Sequence, residues 1–339
     1  MASKKKLAII LPIAVMSIIA LLVFGNKGQS NTVFYKNSGF IFGTSYNITY
    51  QSDKDLHDDI KNVMNSVDAS LSPYNEKSII TAINNNKDIR LDNFFVEVFT
   101  LAQQVSTNTD GAFDITVAPL VNVWGFGFKK GDWPTDKDIA DIKTYVGYEK
   151  VSITDTNDLS KAKITKQNPR TMLDCSAIAK GYAVDKVAEM LSNKGITNYL
   201  VEIGGEIVAH GTNPNGKKWS IGVTQPTDDS LSINNELQTI LELSDIAMAT
   251  SGDYRKYYIK DGHKYAHTIN PKTGYPAEQD ILSATVLAAT CAEADAYATA
   301  FMTMGLEKTK RFLDTPIGKK LKVYLISNGE GKNKVWQRM

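Results

Sequence analysis

The stretch Thr290–Gly305, TCAEADAYATAFMTMG, sets Asp295 and Thr299 four residues apart in a run of small side chains. On a helix, positions i and i+4 share a face, so a carboxylate and a hydroxyl would point the same way from a surface trimmed by Ala292, Ala294, Ala296 and Ala298. That is half a site for a hard cation. Mg²⁺ takes oxygen ligands, uses one or two carboxylates and completes its octahedron with water and substrate phosphates. Standing alone, such a pair more often marks a solvated carboxylate and a packed threonine, so its weight depends on what the rest of the chain carries.

The whole chain has 339 residues, 42% hydrophobic and 22% charged, ample for a sizeable core. Its 38 basic and 37 acidic side chains leave a net charge of +1, which gives no broad electrostatic pull on nucleic acid. A phosphorylated small ligand remains compatible with that balance, because backbone N–H groups and a metal can bind phosphate without a basic surface.

The N-terminus departs from this composition. Lys4, Lys5 and Lys6 precede Leu7–Phe24, eighteen residues without a charge, which as a helix would span about 27 Å. No clean cleavage motif follows, and the apolar run exceeds that of an ordinary cleaved signal. The expectation is an uncleaved anchor in a bacterial inner membrane, with the lysines in the cytoplasm and the catalytic chain on the extracytoplasmic side. A cleaved signal is the alternative. No Cys follows the run, which excludes a lipoprotein anchor. Residues 1–30 are therefore read as anchor and tether, and 31–339 as the functional domain.

Further along, Tyr46, Ile48 and Tyr50 alternate with polar residues as a half-buried strand does, just after Phe42-Gly43-Thr44. Asp53 is expected to cap a helix that ends at Pro73, and Asp92 to cap another. Tyr74 lies in the Pro turn, off any core stripe. Gly111–Phe128 (GAFDITVAPLVNVWGFGF) reads as a shaped loop. The spacing then predicts a helix over 135–145, a strand pair, and a helix from near Ser176 that carries Lys180 one turn inside. That turn, after Asp174, is a natural place for phosphate or metal. Tyr199–Val208 reads as a strand broken by Gly204-Gly205, and Ala249–Tyr254 as a polar turn lining a cleft. His267 stands before a tight turn, and Leu321–Ser327 is taken as the final strand. These elements predict an α+β protein of mixed β-sheets packed with helices. Helix followed by strand recurs, which suggests two loosely similar halves. No G-x-G-x-x-G after a strand and no Walker A sequence is present.

Five segments in order resemble the ApbE family, the FAD:protein FMN transferases: FGTSYNITY (42–50), LSPYNEKS (71–78), GAFDITVAPLVNVWGFG (111–127), LDCSAIAKGYAVD (173–185), and the sweep from IGGEIVAHG through TSGDY and HTINPKTG to AEADAYAT. The resemblance implies an ApbE-like fold with Mg²⁺ held by Asp295, Thr299 and the carbonyl of Ala177. It implies FAD contacts at Phe42, Tyr74, Ala112, Phe113 and Asp114. Further contacts fall on Asp174, Lys180 and the segment from His267 to Ile269, with Tyr74 and Phe113 as ring-stacking candidates. The chain departs from the family at Phe42, where Met is usual, at Asn270, where Asp is usual before Pro, and at Cys175-Ser176.

The implied reaction is phosphoryl transfer. FAD is the substrate, a Ser or Thr hydroxyl of an acceptor protein, for example a membrane redox subunit, attacks phosphorus on the riboflavin side, and AMP leaves. His267 is the candidate for taking the hydroxyl proton. Two alternatives use the same pocket: a flavin-storage protein, and a Mg²⁺-dependent FAD pyrophosphatase that gives FMN and AMP. The two cysteines, Cys175 and Cys291, each lie near a segment assigned to this site. Two buried thiols are expected rather than a bridge, which would need Cα atoms within about 7 Å.

Overall fold

Eight strands hydrogen-bond side by side in the order Val33–Ile41, Thr44–Ser52, Tyr199–Ile203, Glu206–His210, Ile246–Gly252, Ile281–Ala288, Lys322–Ser327 and Lys334–Arg338, every neighbouring pair antiparallel. This computed structural model describes residues 32–129, 133–156, 158–224, 237–252, 257–260, 263–278, 280–328 and 334–338. The expected anchor and tether lie outside those residues, as do Asp253 and Tyr254. Among the described residues no helix is long and apolar enough to cross a membrane.

β1 (Val33–Ile41) and β2 (Thr44–Ser52) form a hairpin in which Tyr46, Ile48 and Tyr50 are buried with a period of two. Phe42 and Gly43 alone make the turn, at φ 52° and 73°. Two positive φ values suit the right-handed twist of a two-residue hairpin, but for phenylalanine that conformation is strained. In α1 (His57–Leu71) the apolar stripe falls as expected, with Ile60, Met64, Val67 and Leu71 buried. The expected cap does not hold: Leu56, not Asp53, is the N-cap residue. Asp55 instead accepts from the Tyr50 hydroxyl (2.8 Å), the Asn37 amide (3.1 Å) and the His57 N–H (3.0 Å), tying β1, β2 and the helix start together.

Ser78 caps α2 (Ile79–Asn84), and Asp92 caps α3 (Asn93–Asn108) by accepting the Phe95 N–H at 2.8 Å, as expected. The segment read as an irregular loop contains a short helix, α4 (Ala118–Val123), with Pro119 in its first turn. Next come α5 (Asp136–Lys143) and the pair β3 (Val151–Thr154) and β4 (Lys163–Lys166). α6 (Ala179–Asn193) starts three residues after Ser176, because the chain first turns at Asp174–Ile178. β5 (Tyr199–Ile203) and β6 (Glu206–His210) then form the hairpin that Gly204-Gly205 announces.

β7 (Trp219–Thr224) and β8 (Leu237–Leu243) pair apart from the main sheet. β9 (Ile246–Gly252) corrects a second expectation. Ala249–Gly252 is no cleft-lining turn but the end of a central strand, paired with β6 on one side and β12 on the other. Its small residues serve packing, since α7 lies directly across this strand. β10 (Tyr257–Lys260) and β11 (His263–Ala266) make a separate hairpin, and β12 (Ile281–Ala288) returns to the sheet. α7 (Cys291–Met304) leads to α8 (Leu306–Leu313), β13 (Lys322–Ser327) and β14 (Lys334–Arg338). Leu321–Ser327 is therefore not the final strand.

Helix α7 is buried nearly all round, from Cys291 and Ala292 to Met302 and Thr303. A helix apolar on every side belongs inside a core, and full burial of a side chain such as Phe301 contributes about 1.5–3 kcal/mol. Asp295, on the buried side of this helix, is thus held away from bulk water, whereas Glu293 in its first turn is partly exposed. Cys175 and Cys291 are both free and buried, in line with two separate thiols.

Candidate functional site

Helices α6 and α7 touch backbone to backbone. A Cβ on Gly181 would lie 2.3 Å from the Cys291 carbonyl oxygen, so only glycine permits this approach. Carboxylates cross the contact in both directions. From α6, Asp185 accepts the N–H groups of Cys291 (2.7 Å) and Ala292 (2.8 Å), two of the donors that the start of α7 leaves free. From α7, Oδ2 of Asp295 accepts the Gly181 N–H at 3.1 Å. Asp295 is 3% exposed, and burial raises its pKa, an effect opposed by Lys180 and the Gly181 N–H.

The Lys180 ammonium is 2.6 Å from Oε1 of Glu206 and 3.9 Å from Oδ2 of Asp295. Burial alone would lower its pKa, but the Asp295 and Glu206 carboxylates outweigh that and hold it above the ordinary lysine range. Glu206, at the start of β6, is 2% exposed and raised chiefly by burial. Its Oε2 is buried without a hydrogen-bond partner among the described atoms.

Oxygen donors gather around Asp295. Thr299 follows one turn later on α7, and its hydroxyl is 3.0 Å from that of Ser251 at the end of β9. On the α6 side, the Gly181 N–H goes to Asp295, and among the described backbone bonds none ends on the Ala177 carbonyl. One carboxylate, one hydroxyl and one carbonyl make a donor set of the hard type that Mg²⁺ takes. Among the described residues no three His, Cys, Asp or Glu side chains form a cluster suited to a metal, so a cation here relies on such mixed oxygens. By donor chemistry the three residues fit the ion.

The loop before α4 is fastened to the same helix. Thr303, one turn beyond Thr299, donates to the Ala112 carbonyl at 2.7 Å. Phe113 next to it is 2% exposed with its ring in the main core, so the ring face offers no stacking surface in this conformation. Asp114 is buried and accepts both the N–H and the hydroxyl of Thr116 at 2.7 Å; burial pushes its pKa up to about 6 against these bonds. This loop runs beside the segment before α6, through a bridge between Val117 and Met172 and the bond from Asp174 N–H to Ile115 carbonyl at 2.8 Å. Asp174 accepts the Ser176 N–H at 2.8 Å and is raised by burial. Tyr74 is 66% exposed, its ring edge-on to Phe128 with centroids 6.2 Å apart, and its phenol is raised by partial burial and then by the Asp174 charge. Phe42 sits at the tip of the β1–β2 hairpin.

His267 and Ile269 belong to a neighbouring cluster. Ile269 is buried with Leu120, Trp124, Ile139 and Ile142, and Trp124 donates to the Gly274 carbonyl at 2.8 Å. The His267 ring is half-buried, 6.5 Å from that of Phe126. Lys272 pairs with Asp110, so the Gly111–Ile115 loop links the histidine segment to α7. Asp295 and Lys180 thus meet at one corner, with Thr299 one turn further along α7 and Ala177 in the turn just before α6; Asp174 and Tyr74 form a second group, and His267 and Ile269 a third.

Sequence reasoning missed Glu206, Asp185, Ser251 and Thr303. A signal existed for two of them: Glu206 is a charge in the apolar run after Gly204-Gly205, and Thr303 continues the series Asp295, Thr299 at four-residue spacing.

The sequence model of the ApbE family matches residues 42–325. The FAD:protein FMN transferase of Haemophilus influenzae is 37% identical over 311 residues, 88% of either chain. That of Vibrio cholerae is 39% identical over 284 residues, 80% of this chain and 81% of the relative. Among solved structures, the flavin transferase ApbE from Vibrio cholerae superposes with a TM-score of 0.79 at 33% identity, covering 90% of this chain and 97% of that one. The apo flavinyl transferase ApbE of Pseudomonas stutzeri gives 0.79 at 29% identity, covering 90% and 95%. With the family's sequence model matched from the β1–β2 turn into β13, and with this fold, the chain belongs to the ApbE family.

Proposed function

We propose that this chain is a Mg²⁺-dependent transferase that moves FMN from FAD onto a Ser or Thr hydroxyl of an acceptor protein and releases AMP. The family and the activity named for its relatives support the reaction class. What supports the metal part is the buried Asp295, with Lys180 close by and Thr299 one turn further along α7; the Ala177 carbonyl enters through the resemblance to the family. When bound there, Mg²⁺ supplies charge neutralisation for the pyrophosphate. Lys180 adds a fixed positive charge toward the same anion.

In the transfer itself the acceptor oxygen forms a bond to the phosphorus on the riboflavin side, the bond from that phosphorus to the bridging oxygen of the pyrophosphate breaks, and AMP departs carrying the bridging oxygen. His267 takes the hydroxyl proton, a role suited to an imidazole near neutral pH. Tyr74, exposed on the Pro turn, offers its ring to the flavin, while Ala112, Phe113 and Asp114 contribute through the loop that Thr303 fastens. Residues 7–24 serve as the membrane anchor, with the 31–339 domain on the extracytoplasmic side. This rests on the lysines ahead of the apolar run. Protease treatment of spheroplasts that spared the full domain would contradict that orientation.

The reaction is tested by incubating the domain with FAD, Mg²⁺ and a candidate acceptor. Flavin fluorescence that stays with the acceptor on a denaturing gel supports transfer. Free FMN and AMP without labelled acceptor would identify a pyrophosphatase, and unchanged FAD a storage protein.

A further inference from the structure

Two carboxylates and one ammonium share the buried corner between α6, α7 and the β5–β6 turn, and they are not evenly arranged. Lys180 is 2.6 Å from Glu206 but 3.9 Å from Asp295. Glu206 therefore holds the ammonium, and Asp295 keeps only a longer-range share of it. Oδ2 of Asp295 is engaged by the Gly181 N–H, while Oδ1 has no described protein partner. A carboxylate placed for stability alone would be saturated, as Asp185 is by two N–H donors. Glu206 instead buries an oxygen, Oε2, that has no hydrogen-bond partner among the described atoms, an arrangement that costs stability. Its setting is a two-residue turn in which Gly204, at φ 65°, would place a Cβ 2.7 Å from a Thr44 methyl and 3.3 Å from Oε2. A larger residue would close this corner.

We propose that Glu206 is a positioning residue that parks the Lys180 ammonium off Asp295, so that Asp295 stays open to a divalent cation while the lysine keeps its charge beside it. This rests on the reading of Asp295 as a metal ligand. The electrostatic reason is direct. A lysine whose only buried carboxylate partner was Asp295 would move onto that carboxylate and compete with the cation, because burial makes an unpaired ammonium costly. With Glu206 present, the ammonium has its own counter-ion, and both positive charges can face a pyrophosphate together. Glu206 acts through Lys180 and touches no reacting atom.

The test uses Mn²⁺ binding to the FAD-free protein, followed by electron paramagnetic resonance, with transfer kinetics in parallel. Glu206→Gln keeps the shape and removes the counter-ion. The expected result is Mn²⁺ affinity weakened about 10-fold or more, the size typical of outer-shell partners, and a matching rise in the Mg²⁺ needed for half-maximal transfer. At saturating Mg²⁺, kcat stays within a few-fold. Adding Lys180→Met to Glu206→Gln should restore Mn²⁺ affinity while the KM for FAD rises. Lys180→Met alone should bind Mn²⁺ at least as tightly as the unmodified protein, and this holds even if Glu206→Gln fails to fold.

Unchanged Mn²⁺ affinity in Glu206→Gln would overturn the inference. So would a loss that Lys180→Met does not relieve, which would make Glu206 a cation ligand itself or a packing residue. If the unmodified protein and Asp295→Asn bind Mn²⁺ equally, the metal reading of Asp295 fails first and the two failures are told apart.

Discussion

Asp185 and Asp295 occupy the two ends of one helix contact and are treated oppositely. Each is a carboxylate at the α6–α7 contact, Asp295 buried and Asp185 half-buried, and each receives backbone N–H from the other helix. Asp185 is saturated: both oxygens accept from the first turn of α7, where the helix start favours negative charge. Asp295 takes one N–H on Oδ2, and Oδ1 has no described protein partner. The difference teaches that burial of a carboxylate does not by itself mark function. What distinguishes Asp295 is a carboxylate oxygen without a described protein partner, near a fixed positive charge.

The sharpest way to break this comparison is to neutralise each member. Asp295→Asn should cut FMN transfer by on the order of 10²-fold or more, the loss typical when one preorganised charge-stabilising group is removed. Its thermal midpoint should stay near the parent's or rise, because a buried charge is removed while Glu206 still satisfies Lys180. A variant that transfers normally at limiting Mg²⁺ would place Asp295 in the structural class with Asp185.

Asp114 extends the comparison to a third carboxylate, buried, whose Oδ1 accepts both the N–H and the hydroxyl of Thr116. Burial, the leading cause, moves its pKa from 3.8 to about 6. The folded state therefore keeps this proton while the unfolded chain releases it near pH 4. The group's contribution favours the fold below about pH 4 and is lost as pH rises to about 6, by at most about 3 kcal/mol. Urea unfolding of the parent and Asp114→Asn should show their stability difference sliding in that window and flat above it. A difference independent of pH would contradict the assignment.

Asp185→Ala should show the smallest effect and the opposite profile to Asp295→Asn. Two N–H groups at the start of α7 lose their acceptor, which costs about 2 kcal/mol as a lost cap does at the upper end. Transfer per folded molecule should change little. Thermal melts paired with kcat measured well below the transition check both halves.

The fold was legible where one period or one turn residue dominates. The alternation in β2, the apolar stripe of α1, the Asp92 cap and the Gly204-Gly205 hairpin all follow from local rules. Expectations failed where a local signal had a tertiary rival. Asp53 looked like a cap, yet Asp55 two residues on is drawn into the Tyr50 and Asn37 network instead. The small polar run from Ala249 looked like a turn because the sequence does not show α7 lying over it. Within the site, Asp295 and Thr299 were readable because they share one helix face. Glu206 was not, since its importance comes from meeting Lys180 across a gap of 26 positions in the chain.

The most direct test of the central claim is the product balance of a single incubation with FAD, acceptor protein and Mg²⁺. The account predicts that AMP released equals FMN found on an acceptor Ser or Thr by intact mass and peptide mapping, and that both vanish together on chelation or in Asp295→Asn. AMP and free FMN in equal amounts with an unmodified acceptor, or transfer that continues without a divalent cation, would contradict it.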